Sequence, residues 1–195
     1  MGYQLILDTS ANQLSVGIAD EHEVLYKVQF VAQKKQSELA TLEIEKALKV
    51  MDIDSKELTR IIVSKGPGSY TGVRIALTIA KVMSYVHQIP VCAISSLQSL
   101  VGVEPKAIAI IDARSDKSYL GVYHYGKEKI KERIVDNNEL KDYLTKYKEY
   151  EVFGDRNLVN LASNPIDIVE NMYQVSKFTP DIKYVDTLVP TYLKD

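Results

Sequence analysis

Residues 4–8 read QLILD and residues 107–112 read AIAIID, two short apolar runs that each end on an aspartate. Nine residues after each aspartate stands a glycine, Gly17 after Asp8 and Gly121 after Asp112. Both glycines lie inside matching runs, LSVGIA over 14–19 and SYLGVY over 118–123. An apolar run that stops at Asp8-Thr9-Ser10 reads as a strand followed by a tight polar turn. Three correspondences at one offset point to an internal duplication of a strand meander.

Working outward, Leu14, Val16 and Ile18 alternate with smaller or polar residues and form a second strand, and residues 23–31 (EVLYKVQFV) form a third. A helix is expected from Ser37 as N-cap, with Glu38 in its first turn and a Glu45–Lys49 pair, to about Met51. Residues 60–64 (RIIVS) form a strand, 66–72 (GPGSYTG) a glycine-rich loop, 73–87 a second helix and 90–94 a further strand. The order is βββαβαβ. The second half starts after a loop-like stretch at 102–105 and repeats the opening. It then adds a helix over 138–147, a short strand over 151–153 and a turn at Gly154-Asp155. This pattern predicts an α/β chain with an actin-like (ASKHA, ribonuclease H-like) fold. Two pseudo-duplicated subdomains, residues 1–101 and a shorter 102–195, would each carry a mixed β-sheet flanked by helices. The last residues would pack back on the first subdomain.

The composition is that of a globular protein, 195 residues with 46% apolar and 26% charged side chains. A formal charge of −2 gives no bulk attraction to nucleic acid or anionic membrane. Cys92, the single cysteine, forms no intrachain disulfide and reads as a buried, inert thiol. The N-terminus lacks the basic start and apolar core of a secretion signal, and no window is long enough to span a bilayer. The expectation is a cytoplasmic protein with no membrane partner.

That architecture hosts nucleases, ATP-dependent transferases and copies without chemistry, so the residues must choose. Gly66, Gly68 and Gly72 fit neither G-x-x-x-x-G-K-[ST] nor G-x-G-x-x-G. The helix N-terminus after them could still hold an anion. In the plainer reading Gly66, Pro67, Gly68, Ser69, Thr71 and Gly72 form a structural loop, with Ser69 or Thr71 capping the helix. A two-metal nuclease needs converging acids, yet the fourth strand ends in Ser64-Lys65. Asp8 reads as a turn residue bonding its own backbone. His22, His87 and His124 have no partner at helical ligand spacing. No catalytic set, cofactor or metal is expected.

Around the second helix, at 100° per residue, Arg74, Thr78, Lys81, Tyr85 and Gln88 form a narrow polar stripe. Val73, Ala76, Leu77, Ala80 and Met83 lie on one flank, and Ile75, Ile79, Val82 and Val86 on the other. The apolar arc spans roughly 220°, about twice what a one-sided surface helix needs. The excess points to a partner. The candidate interface is Leu39 and Leu42 on the first helix with Val73, Ala76, Leu77, Ala80 and Met83 on the second. Ala76 and Ala80, one turn apart, would let a partner helix approach closely.

Residues 65–80 (KGPGSYTGVRIALTIA) resemble the hallmark G-P-G-S-[FY]-T-G-[LV]-R-I segment of the TsaB (YeaZ) family. The resemblance continues through Asp8-Thr9-Ser10, Ser37-Glu38, Pro90-Val91, Ser95-Ser96-Leu97, residues 111–114 and Pro190-Thr191-Tyr192-Leu193. It implies a non-catalytic scaffold and activating subunit for threonylcarbamoyl transfer to N6 of the adenosine next to the anticodon of tRNAs. It further implies a heterodimer with TsaD built largely from the first two helices, association with the ATPase TsaE, and a homodimer when alone. tRNA would be reached indirectly through the complex. The H-x-x-x-H metal pair of TsaD is missing here. Residues 36–38 read QSE where many relatives have HSE, and the second subdomain is short for the family. The alternatives that the residues leave open are an independent actin-like ATP-binding enzyme and a metal-dependent nuclease or peptidase.

Overall fold

A computed structural model describes residues 2–33 and 35–193; Met1, Lys34, Lys194 and Asp195, which include the outer ends of the expected subdomains, lie outside it. The opening meander consists of β1 (Tyr3–Asp8), β2 (Gln13–Ala19) and β3 (Val24–Val31). After α1 (Gln36–Val50), β4 (Leu58–Ser64), α2 (Tyr70–His87) and β5 (Val91–Ile94), the first sheet is complete in the order β3-β2-β1-β4-β5. Strands β1, β4 and β5 run parallel, and the hairpin strands β2 and β3 run antiparallel to their neighbours. A short helix α3 (Ser96–Val101) leads to β6 (Ala107–Arg114), β7 (Lys117–His124), β8 (Lys127–Asp136), α4 (Leu140–Lys146) and β9 (Glu151–Gly154). Their sheet has the order β8-β7-β6-β9, which repeats the first with β9 in the place of β4. Among the described residues no helix is long and apolar enough to cross a membrane.

The central strands are apolar on both faces because helices cover both, as parallel strands require. Leu5 and Leu7 of β1 pack with Ile61 and Val63 of β4 in the layer that holds α1 and α2. Ile6 and Ile62 face the other way, into a core closed by α5 (Ile168–Ser176) through Val169, Met172 and Tyr173. Helix α5 follows the second sheet in sequence yet covers the first. The second sheet packs Ile108 and Ile110 under α4 and Ala107 and Ala109 against α3.

The duplicated hairpins match at their glycines. Gly17 pairs with Ile6, and Gly121 pairs with Ala109, the residue that faces α3 in the second sheet. The aspartates do not match. Asp8 lies two residues beyond Ile6, whereas Asp112 lies three beyond Ala109. Strand alternation therefore puts Asp8 on the α5 side and Asp112 on the α4 side of its own sheet. The nine-residue spacing hides this slip because the two turns differ in length. Each glycine also makes room for a neighbour. A Cβ on Gly17 would lie 2.3 Å from Val169 Cγ1, and one on Gly121 would lie 2.6 Å from the Tyr123 ring.

Helix α1 departs from the expected start. It begins at Gln36 with Lys35 as N-cap and no side-chain cap, so Ser37 is an exposed first-turn residue. The reason lies in the entry turn. Lys35 N–H donates to the Ala32 carbonyl at 2.8 Å, and the N–H groups of Glu38 and Leu39 both reach the Lys35 carbonyl. A serine cap has no free donor left to satisfy there. Gln36 instead reaches back, donating from Nε2 to the Ala11 carbonyl at 3.1 Å.

The contact of Gly17 with α5 is a stringent test of the layering. Gly17→Ala is expected to cost about 1–3 kcal/mol by overpacking. Adding Val169→Ala should return part of that loss in a urea-melt double-mutant cycle.

Candidate functional site

The crevice beyond the ends of β1, β4 and β5 is where open α/β sheets hold ligands. Here the two loops that leave these strand ends meet backbone to backbone. Residues 65–69 leave β4, and the Asp8-Thr9-Ser10 turn leaves β1 and docks directly on them. Ser69 N–H donates to the Ser10 carbonyl at 2.8 Å, and the Thr9 hydroxyl donates to the Gly72 carbonyl at 2.6 Å. A Cβ on Gly68 would stand 2.5 Å from Ser10 O, and one on Gly72 would stand 2.0 Å from Thr9 O. Gly66 has a left-handed φ of 93°, which glycine adopts without strain. Its carbonyl accepts Ser96 N–H at 2.9 Å, so the same loop also holds the start of α3. Ser69 is the helix cap, its Oγ accepting Gly72 N–H at 3.2 Å; Thr71 lies inside the first turn. The glycines thus admit protein backbone where a phosphate loop would admit phosphate.

Asp8 is buried, and its Oδ1 accepts Ser10 N–H at 2.8 Å and the Ser64 hydroxyl. Asp112 makes the same turn bond, to Arg114 N–H at 2.8 Å, but on the α4 side of the other sheet. The two acids do not converge. His22 is exposed beside Glu21, His87 ends α2, and His124 packs edge-on to Tyr125. Among the described residues no three His, Cys, Asp or Glu side chains are grouped to hold a metal ion. Cys92 is fully buried, and burial pushes its thiol up to about 11.

One polar cluster escaped sequence reasoning. The Tyr123 hydroxyl, fully buried, donates to Glu132 on β8, and Ser95 at the start of α3 also bonds that carboxylate. Burial raises the Glu132 carboxyl above its ordinary value of 4.5. The only advance signal is Gly121, whose missing side chain leaves room for the Tyr123 ring.

The helical face differs from expectation in which flank it offers. Val73, Ala76, Leu77 and Ala80 are buried at 3% exposure or less, among Leu5, Leu7, Ile61 and Val63. Met83 and Leu39 are half-buried against the same core. Of the seven interface candidates, Leu42 alone is exposed, at 56%. The alanines do permit close approach, but to the chain's own sheet. The opposite flank carries the exposed surface: Val82 and Val86 at 57% and 65%, with Ile75 and Ile79 half-buried. Together with Ser37 and Thr41 of α1, residues Tyr70, Arg74, Ile75 and Thr78 line a groove of about 440 Å³ between the two helices. At its N-terminal end the Arg74 guanidinium stands 3.7 Å from the Tyr70 ring centroid, and its Nε donates to the Tyr192 hydroxyl at 3.1 Å.

The paired 3-2-1-4 sheets with their flanking helices define a protein of the actin-like class. The solved structure of YeaZ from Pseudomonas aeruginosa superposes with a TM-score of 0.86 at 22% identity, covering 99% of this chain and 100% of that one. The family model for TsaD, tRNA N6-adenosine threonylcarbamoyltransferase, matches residues 29–164. In sequence, the chain is 34% identical over 150 residues to the tRNA threonylcarbamoyladenosine biosynthesis protein TsaB of Bacillus subtilis. That match covers 74% of this chain and 66% of the relative, just under two thirds of its length. The TsaB of Buchnera aphidicola from Schizaphis graminum is 27% identical over 156 residues, 74% of each chain. The chain belongs to the TsaD family, on its TsaB (YeaZ) branch.

Two outcomes follow from this geometry. Ala80→Arg should fail as an interface probe because it places a charge in the core; circular dichroism is expected to show an unfolded or strongly destabilised chain. For Glu132, the folded chain keeps its proton to higher pH than the unfolded chain does. Its contribution to stability therefore declines as pH rises from the ordinary carboxylate range. Glu132→Gln should gain stability relative to the parent over that rise, read from melts taken across pH.

Proposed function

We propose that this chain is a non-catalytic scaffold and activating subunit for threonylcarbamoyl transfer to N6 of the adenosine beside the tRNA anticodon. In this reading it acts by pairing with a TsaD-type catalytic subunit. The observation that carries the proposal is the packing of Thr9 and Ser10 on Gly68 and Gly72, where the glycines of the loop meet the chain's own backbone rather than leaving an open phosphate cradle. The names of the TsaB relatives support the pathway, and the family match of residues 29–164 supports kinship with the catalytic subunit. The exposed flank of α2 with Leu42 of α1 supplies an apolar face for the pairing.

The reading extends to the ATPase TsaE as a further member of the complex, to a homodimer when the chain is alone, to tRNA met through the complex, and to a cytoplasmic setting. It also keeps the division into subdomains at residues 101 and 102, the first subdomain providing the paired face.

Val86→Arg and Leu42→Arg change exposed positions and should leave the melting temperature unchanged. Each should weaken co-purification with the cognate TsaD by about tenfold or more, as central interface positions do. Addition of the chain to TsaD should raise tRNA modification in a reconstituted assay, and the Arg variants should lose that gain. Titration with ATP and magnesium tests the competing enzyme reading; tight binding by the chain alone would sink the scaffold.

A further inference from the structure

The outer strand of the second sheet sorts its charges by face. Residues 127–133 read KEKIKER. The pairing with β7 sets Lys127 opposite His124, Ile130 opposite Val122 and Arg133 opposite Leu120, all on the side that carries α4. Lys129 reaches the same side. Its ammonium donates to the Tyr150 hydroxyl at 2.9 Å and lies 5.3 and 5.8 Å from the ring centroids of Tyr150 and Tyr147. Lys146, at the end of α4, stands 5.6 Å from the Tyr147 ring. The acids of β8 turn to the other face, where Glu128 is opposite Tyr123 and Glu132 accepts its hydroxyl. Glu149, next to Tyr150, is held by Lys106 at 2.6 Å.

This side of the strand edge therefore presents a line of exposed cations around two half-buried tyrosines, on a chain whose formal charge is −2. The pairing shifts register on both sides of Ile130, which brings Lys127, Ile130 and Arg133 to one side although they are three residues apart, and the cations are spread along the strand in a row. A row of cations interleaved with tyrosines matches the regularly spaced charges of a nucleic-acid backbone. Tyrosine hydroxyls and lysines are also the groups that bond phosphate and sugar oxygens. An acidic peptide would answer the charge alone. We propose that the α4-side edge of β8 binds the phosphate backbone of an RNA through Lys127, Lys129, Arg133 and Lys146. The inference rests on the function proposed above only in the choice of tRNA as probe. The Tyr150 hydroxyl beside Lys129 raises its pKa and so favours the charged form that the contact needs.

The test is fluorescence anisotropy of labelled tRNA with the chain alone at low salt, with pairing to TsaD read separately by size-exclusion chromatography. The K127E/K129E/R133E variant should bind tRNA about tenfold or more weakly. Its slope of log K against log salt should fall by about 2–3, as expected for three lost phosphate contacts. K127Q/K129Q/R133Q should show an intermediate loss with an unchanged melt, and K56E/K183E, charge reversals away from the patch, should bind as the parent does. Equal binding by the parent and the triple Glu variant would overturn the proposal. So would no RNA binding by the parent at low salt, or capture of polyglutamate in place of RNA. Loss of RNA binding with TsaD pairing intact supports this patch alone, and failure to pair with TsaD bears on the scaffold reading alone.

Discussion

Everything in this fold hangs on the contact of one backbone with another, the Thr9-Ser10 turn lying against Gly68 and Gly72. Two hydrogen bonds hold it, one from a serine N–H and one from a threonine hydroxyl. The approach is so close that neither glycine can carry a side chain. Through the Gly66 carbonyl the same loop holds α3, and through the Lys65 carbonyl it holds Thr191. Residues 65–72 thereby tie together the first strand, the second helix, the entry to the second sheet and the closing segment. A glycine-rich loop before a helix does not identify a phosphate site; what identifies it is the group that uses the space the glycines leave.

Helix α2 illustrates why an apolar arc can be measured in a sequence while its division cannot. The arc is wide because the helix serves a sheet on one flank and solvent or a partner on the other. One flank is built from Val, Ala, Leu and Met and the other from Ile and Val, all of them apolar, so hydrophobicity gives no preference between them. Small residues such as Ala76 and Ala80 signal a close neighbour without saying which neighbour. The neighbours here are β1 and β4, because the loop at 65–69 sets the rotation of the helix as it leaves β4. Only a contact outside the helix could fix that rotation.

The same limit governs the rest of what was legible. The order βββαβαβ, the Ser69 cap and the turn role of Asp8 were readable because each depends on residues within a few positions of one another. The duplication was readable through its glycines, which sit at equivalent points of two hairpins. The aspartates misled because turn length, which no spacing rule records, moved Asp112 to the opposite face. Strand β8 was implied only by the duplication of the meander, since its own alternating charges carry too few apolar residues to mark a strand. Helix α5 went unread for another reason. Its partners, Ile6, Gly17 and Ile62, lie more than a hundred residues away, and nothing local reports them.

That long separation has a consequence for how the chain becomes structured. During synthesis the first sheet can assemble its strands and receive α1 and α2 early. Its other face, with Ile6, Ile62, Cys92 and Ile94, stays bare until α5 has left the ribosome. The segment after α5 then finishes the edge, with Ile182 N–H donating to the Val91 carbonyl at 2.8 Å and Arg60 pairing with Asp181 at 2.7 Å. The first sheet is therefore the last to be covered, although its strands are made first. Non-local closure of this kind is slow and leaves apolar surface exposed meanwhile. A nascent chain of this architecture carries an uncovered apolar face whose lifetime is set by when residues 168–192 are made.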